Sequence, residues 1–369
     1  MNGKQLIFLC LIPLLLNGCC NDPPQVPDGC RLRDIVSDLY PGGNVLIGAT
    51  PTTATAHVPT DKMYLVLNRE FSYITPSNDF KQAVIHPDPD TWDWSYADTW
   101  EDHIAENDQV LRMHGPISPQ FSRWAKGDDR TALELETNME EFFASLCQRY
   151  NGVDGFKYLD VVNETVVNGA WHENKAGDTL WECPWFKIGQ DNDIHQTPLY
   201  IIRAFEIAKE YAPDLKLIYN HNESPEETDS WSLIKETVLN LRARGLRVDA
   251  IGWQAHVNAG DDTPEGLAAF QRLIDWAQEN DLEFHITEAS VWLKQGYFNP
   301  DYMQQAATYA GILEALLEKR DGGVVGWNTW HIADDAYTWH SEWLPALFDA
   351  CYRPKPAYYA IQRVLEDPL

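Results

Sequence analysis

The chain is short of positive charge. Lysine and arginine number 28 against 56 aspartates and glutamates, a formal net charge of -28. Nucleic-acid binding needs a basic surface to neutralise phosphates, so this balance excludes that class of partner. It also disfavours a polyanionic ligand, unless a local basic cleft overrides it. No apolar run is long enough to span a bilayer, which takes ~20 residues. The stretch Leu6 to Leu16 in "MNGKQLIFLCLIPLLLNGCC" falls short. With Lys4 before it and Gly18-Cys19 after it, it reads as a removable export signal. Cys30, Cys147, Cys183 and Cys351 are too widely spaced for a zinc site. Export permits disulfides, but their connectivity is open. The Gly-rich nucleotide fingerprint is missing too, since "GATPTTATA" does not match it. No cofactor and no metal is expected. Beyond about Gly29 there is no Ser/Gly-rich linker, repeat or low-complexity tract.

Leu16-Asn17-Gly18-Cys19 looks like a bacterial lipoprotein box, with Cys19 the lipidated first residue of the mature chain. The alternative is an ordinary signal with an incidental cysteine. The expected organisation is a signal at 1–18, a linker at 19–30 and one domain at 31–369. The domain is expected to be exported, monomeric and tethered to a membrane only through the lipid.

Aromatics are plentiful, with 15 tryptophans and 16 tyrosines. Some must be core, but flat aromatic faces also line sugar-binding clefts. Eight apolar, β-branched runs punctuate the chain: "NVLIGAT", the run within "YLVLNREFSYITP", "QVLRMHG", "KYLDVVNE", "LKLIYNHNE", "VDAIGWQAHV", "EFHITEAS" and "GVVGWNTW". Between them lie stretches such as "TALELETNMEEFFASLCQRY" and "PEGLAAFQRLIDWAQEN", whose apolar residues recur at the helical period. Alternating strands and helices imply parallel pairing through crossovers. An α/β fold, the (β/α)8 TIM barrel, is the economical expectation, and an open doubly wound sheet its competitor. Barrels of this kind commonly run to about 250 residues or more as one domain.

Several runs end on polar groups. The second leads to Asn78 and Lys81, the third to His114, the fourth to Asn163 and Glu164. The fifth ends at Asn220, His221 and Asn222, and the sixth at Gln254 and His256. The seventh ends at Glu288, the eighth at Trp330 and His331. In a barrel the reactive groups gather at these strand ends. Two carboxylates among amides, histidines and tryptophans suit glycoside hydrolysis. One carboxyl must stay protonated for the leaving oxygen while the other attacks ionised. Burial and a nearby like charge raise the first; hydrogen bonds to the charged form hold the second.

These motifs resemble family 10 glycoside hydrolases, the retaining endo-β-1,4-xylanases. "YLDVVNETV" is similar to their acid/base strand, "FHITEAS" to their nucleophile strand and "AIGWQAHV" to the strand carrying a Gln and a His. "FSYITPSNDFKQAVIHPDPDTWDWSYAD" resembles their second-strand region and "LPALFDACYRPKPAYYAI" their C-terminal segment. The resemblance implies Glu164 as acid/base and Glu288 as nucleophile. It implies sugar contacts from Asn78, Lys81, His114 and Asn163, with Gln254 and His256 tying the glutamates together. It also implies aromatic walls from Trp330 and Trp339, whose spacing is one residue longer than the family's. A polysaccharide is the implied substrate.

Three departures stand out. Ser77 replaces a glutamate before Asn78. Ser118 and Pro119 replace a Trp-His pair. Ser290 replaces an aspartate that supports the histidine. Other β-glycans (mannan, glucan, an algal polysaccharide) and a glycan-binding protein without catalysis stay open. Trp171, Trp181 and Trp185 either line a sugar-stacking loop or pack the loop itself. His172 and His195 read as surface residues.

Overall fold

A computed structural model describes residues 23–52, 61–119, 122–127, 129–173, 183–294, 300–335 and 338–367. The eight expected runs all contribute strands: β1 Val45–Ala49, β2 Tyr73–Ile74, β3 Val110–Met113, β4 Phe156–Asn163, β5 Lys216–His221, β6 Ala250–Trp253, β7 Glu283–Trp292 and β8 Val325–Thr329. Neighbours pair in parallel and in chain order, and β8 pairs with both β7 and β1. The sheet is therefore a closed (β/α)8 barrel, not an open doubly wound sheet. Closure removes the unpaired edges that an open sheet would leave.

The helices form because their apolar residues share one face, and several carry the expected caps. Helix Ala132–Tyr150 starts at a capping box, Thr131 with Glu134, and buries Leu135, Met139, Phe142, Phe143 and Leu146. Helix Pro264–Glu279 has Thr263 accepting from the Gly266 amide and proline at its first turn, where the missing N–H costs nothing. The second run divides differently from the rest. Its apolar "YLVL" lies within helix Lys62–Glu70, and only Tyr73 and Ile74 enter the sheet.

The barrel interior is layered. Tyr73, Tyr158, Ile218 and Ala250 form a cluster apart from the main core between sheet and helices. Above them the interior turns polar. Arg112 is fully buried, with Nε on Thr75 Oγ1 at 3.1 Å, an Nη2 bond to the Thr287 carbonyl at 2.7 Å, and Nη1 3.4 Å from Asp160.

Two irregularities set the top of the barrel. Opposite β5, Asp160 pairs with Ile218 but Val162 with Tyr219, so β4 carries one extra residue. Opposite β8, Ile286 pairs with Trp327 but Ala289 with Thr329, so β7 does the same. An extra residue reverses the face on which the following side chains stand. In β7, Thr287 and Glu288 consequently both reach Asn220.

Candidate active site

Glu164 follows β4 directly, with φ +54. A non-glycine residue held there is strained by about 1–3 kcal/mol, a feature that clusters at active sites. Its amide donates to the Asn220 carbonyl at 3.1 Å, which fixes the turn. Its side chain is partly exposed, whereas Glu288 on β7 is buried, with 4% exposure.

A chain of four hydrogen bonds joins the two carboxylates. Asn220 Nδ2 donates to Glu288 Oε1 at 3.0 Å and to Asn163 Oδ1 at 2.8 Å. Gln254 Nε2 donates to the same Asn163 oxygen at 3.1 Å and to Glu164 Oε1 at 2.8 Å. The Asn220 amide cannot flip, because Thr287 Oγ1 donates to its Oδ1 at 2.7 Å. Gly252 makes room for it: a Cβ there would collide with Asn220 Oδ1 and approach Thr287 Cγ2 to 2.8 Å.

Two imidazoles lie beside Glu288. His114 Nδ1 lies 3.7 Å from Glu288 Oε1 and 2.8 Å from Asp160 Oδ2. His256 Nε2 lies 3.4 Å from Glu288 Oε2. Burial alone would push the Glu288 carboxyl up. The field of His114, the bond and charge of His256 and the charge of Arg112 outweigh it and hold the group at about 2. Lys81 is buried, and burial lowers its ammonium while the charges of Glu288 and Glu164 pull the other way. Its side chain passes over Gly115, where φ is +64 and an added Cβ would stand 3.1 Å from Lys81 Cε.

Trp330 turns its ring edge-on to His114 at 5.2 Å and to His256 at 6.4 Å. Trp339 is 41% exposed and meets His256 at 5.2 Å. Glu164, Glu288, Asn163, Gln254, His256, His114, Lys81, Trp330 and Trp339 therefore gather at one end of the barrel. Asn78 is exposed; its Nδ2 donates to Ser77 Oγ at 3.3 Å and its carbonyl accepts from the Lys81 amide at 3.0 Å. Cys19 and Trp181 lie outside the described residues.

A sequence profile of glycosyl hydrolase family 10 matches residues 38–364. The chain belongs to glycosyl hydrolase family 10. It is similar to endo-1,4-β-xylanase B of Thermotoga neapolitana, 28% identical over 96% of this chain and 97% of that one. It is 31% identical to endo-1,4-β-xylanase A of Caldicellulosiruptor saccharolyticus, over 81% of this chain and 87% of that one. Among solved structures it is similar to xylanase 10B from Thermotoga petrophila RKU-1 in complex with xylobiose. That match has a TM-score of 0.78 and 26% identity, and covers 93% of this chain and 99% of that one.

Within this family 10 glycoside hydrolase, Ser77, Ser118 and Pro119 are all buried. Ser290 pairs with His256 in a short strand register, but its Oγ lies 3.4 Å from the Glu288 carbonyl. No hydrogen-bond partner reaches His256 Nδ1 among the described residues. Thr287, Asp160 and Arg112 carry no motif signal of their own, and Asn220 and His331 stand out in the sequence only as strand ends. Their signal is position, since each follows or precedes a named site residue on the same strand or a neighbour. His172 and His195 are both partly exposed, and His172 Nδ1 lies 3.2 Å from the Glu164 carbonyl oxygen. That contact forms because the hairpin Val166–Val167 with Ala170–Trp171 folds back over the end of β4. His195 pairs with Glu236 at 3.0 Å on the surface. Trp185 is fully buried and Trp171 bonds the His195 carbonyl at 2.8 Å, so both pack the loop. Cys351 is disulfide-bonded, while Cys30 and Cys147 are not.

Proposed function

We propose that this enzyme is a retaining endo-1,4-β-xylanase that cuts xylan, or a decorated xylan-like polysaccharide, by double displacement. The observation that carries the reading is the amide rack of Asn163, Asn220 and Gln254 spanning Glu164 and Glu288. Glu288, held ionised, attacks the anomeric carbon. Glu164, on the more open side, protonates the leaving oxygen and later deprotonates the incoming water. The Asn163 oxygen already accepts two donors, so its amide N–H faces a sugar hydroxyl. Lys81 and Asn78 hold the glycone side, His114 lies beneath it, and Trp330 and Trp339 wall the cleft. The curated relatives named above support the xylan reading.

The departures shape the substrate. A carboxylate and an aromatic–imidazole pair that would grip a plain xylose are replaced by Ser77, Ser118 and Pro119. That favours a chain carrying substituents, and keeps another β-glycan as the second reading. A lipid on Cys19, with 20–30 as the tether, would hold the domain at a membrane surface outside the cytoplasm. The test is a panel of plant and algal polysaccharides, with the released oligosaccharides identified by mass spectrometry. Decorated xylan should be cleaved faster than plain xylan. Fastest cleavage of plain xylan would refute the substituent argument, and cleavage of non-xylans alone would refute xylan.

A further inference from the structure

The turn that carries Glu164 is held by two sets of contacts. Toward β5, the Glu164 amide donates to the Asn220 carbonyl at 3.1 Å. Thr165 Oγ1 meets the Tyr219 hydroxyl there at 2.6 Å. The second set comes from the chain itself. It runs on through Val166–Val167, turns, and returns through Ala170–Trp171 as the antiparallel partner. His172 follows directly. Its amide donates to the Thr165 carbonyl at 2.8 Å, and its Nδ1 lies 3.2 Å from the Glu164 carbonyl oxygen. A carbonyl oxygen only accepts, so Nδ1 carries the ring proton and donates.

The hairpin is tied down in turn. Its two connecting residues, Asn168 and Gly169, have φ +51 and +75, the left-handed pair that suits a two-residue link between antiparallel strands. Both of their amides bond outside the hairpin. Asn168 N donates to Glu223 Oε1 at 2.7 Å and Gly169 N to Ser230 Oγ at 2.8 Å. Gly169 has no room for a side chain, since a Cβ there would stand 2.9 Å from Asp229 Cβ. Asp229 and Ser230 lie in the first turn of helix Thr228–Ala243, and Glu223 lies just beyond β5. His221 Nε2 is 3.4 Å from Glu223 Oε2. Burial alone would raise the Glu223 carboxyl. The bonds from His221, Ser230 and the Asn168 amide outweigh it and hold the group at about 2. The hairpin tip therefore rests on a carboxylate at any working pH.

We propose that His172 is a positioning residue for Glu164, and that Glu223 is the latch that keeps it in place. The ring N–H of His172 holds the Glu164 carbonyl, and Glu223 holds the hairpin that brings His172 back. This rests on the assignment of Glu164 as the acid/base. Glu164 sits in left-handed backbone, φ +54, a conformation that persists only where its surroundings enforce it. Asn220 fixes its N–H and His172 fixes its C=O, so neither φ nor ψ can relax. The carboxyl is thereby kept where Gln254 Nε2 meets its Oε1 at 2.8 Å. Glu288 stands on β7, outside this brace. Loosening the brace therefore disturbs proton transfer to the leaving oxygen and spares the attacking carboxylate.

The test is kcat/KM across a series of aryl β-xylobiosides whose phenols run from good to poor leaving groups, with aryl β-cellobiosides in their place should wild type turn those over faster. A poor leaving group needs the acid, whereas a dinitrophenolate departs without a proton. His172→Ala should lower kcat/KM roughly tenfold at the poor end, as for one lost oriented hydrogen bond, and by no more than about twofold at the good end. Glu223→Ala should show the same slope. His172→Asn keeps an N–H at the δ position and should restore the wild-type series. A merely structural role would lower both ends alike. An equal loss at both ends, no loss in His172→Ala, or a His172→Asn that behaves as the alanine variant overturns the proposal. Should Glu223→Ala fail to fold, the two His172 variants still decide it. Glu164→Ala in parallel separates the brace from the reading beneath it. A steep series there with a flat one in His172→Ala refutes the brace alone, and a flat series there refutes the acid assignment and the brace with it.

Discussion

Asn220→Ala removes the centre of the amide rack. The side chain is fully buried and makes three hydrogen bonds. The bond to the Glu288 carboxylate is charge-assisted and worth about 1.5–3 kcal/mol; the two neutral bonds are worth about 1 kcal/mol each. If the first acts mainly on the attacking carboxylate, kcat should fall about 10- to 100-fold. KM should change little, since Asn220 lies beneath the glutamates and not along the cleft. Glu288 is held at about 2 chiefly by neighbouring positive charge and hydrogen bonding against burial. Removing a donor to the charged form raises that value, so the acidic limb of kcat/KM should move up. Stability should drop by about 2–3 kcal/mol, because Thr287 Oγ1 loses its acceptor and a small cavity opens. Steady-state kinetics across pH and urea denaturation read all three. A raised KM with unchanged kcat and an unmoved limb would refute the positioning role and make Asn220 a substrate contact.

Three further perturbations separate the roles. Glu288→Ala should lose turnover yet keep polysaccharide binding, with azide giving the inverted glycosyl azide; Glu164→Ala with a good leaving group should give the retained azide. Identical rescue in both would sink the assignment. Ser290→Asp should move the acidic limb to lower pH, since an anion beside His256 favours the cation next to Glu288; an unmoved limb would show that His256 takes its support elsewhere. Lys355→Met strands Asp334, to which Lys355 Nζ donates at 2.8 Å, and should cost about 3–5 kcal/mol by denaturant titration. Burial raises Asp334 to about 6, so the loss should grow as pH rises through that value and shrink in acid; a pH-independent loss would contradict this.

Much of the fold was readable in the chain because strands buried on both faces must be continuously apolar, as "KYLDVVNE" and "EFHITEAS" are. The site was readable because each of those runs stops on a carboxylate. The extra residues in β4 and β7 were not, since register is a relation between strands and leaves no local mark. Asn220 was visible as a strand end, but its pairing with Glu288 depends on the β7 irregularity and on the space above Gly252. His331 carries no propensity signal for left-handed backbone. The contact of His172 with the Glu164 carbonyl was not legible, because a hairpin between them brings it back over the end of β4.

Double displacement by Glu288 and Glu164 fixes the configuration of the first product. Proton NMR during the opening minutes of hydrolysis resolves the anomeric proton before mutarotation. Retention predicts that the β-anomer of the released oligosaccharide accumulates first and the α-anomer follows slowly. The two carboxyl groups should then stand ~5–5.5 Å apart in a substrate complex. An α-anomer appearing first would mean direct attack by water, and would contradict the account.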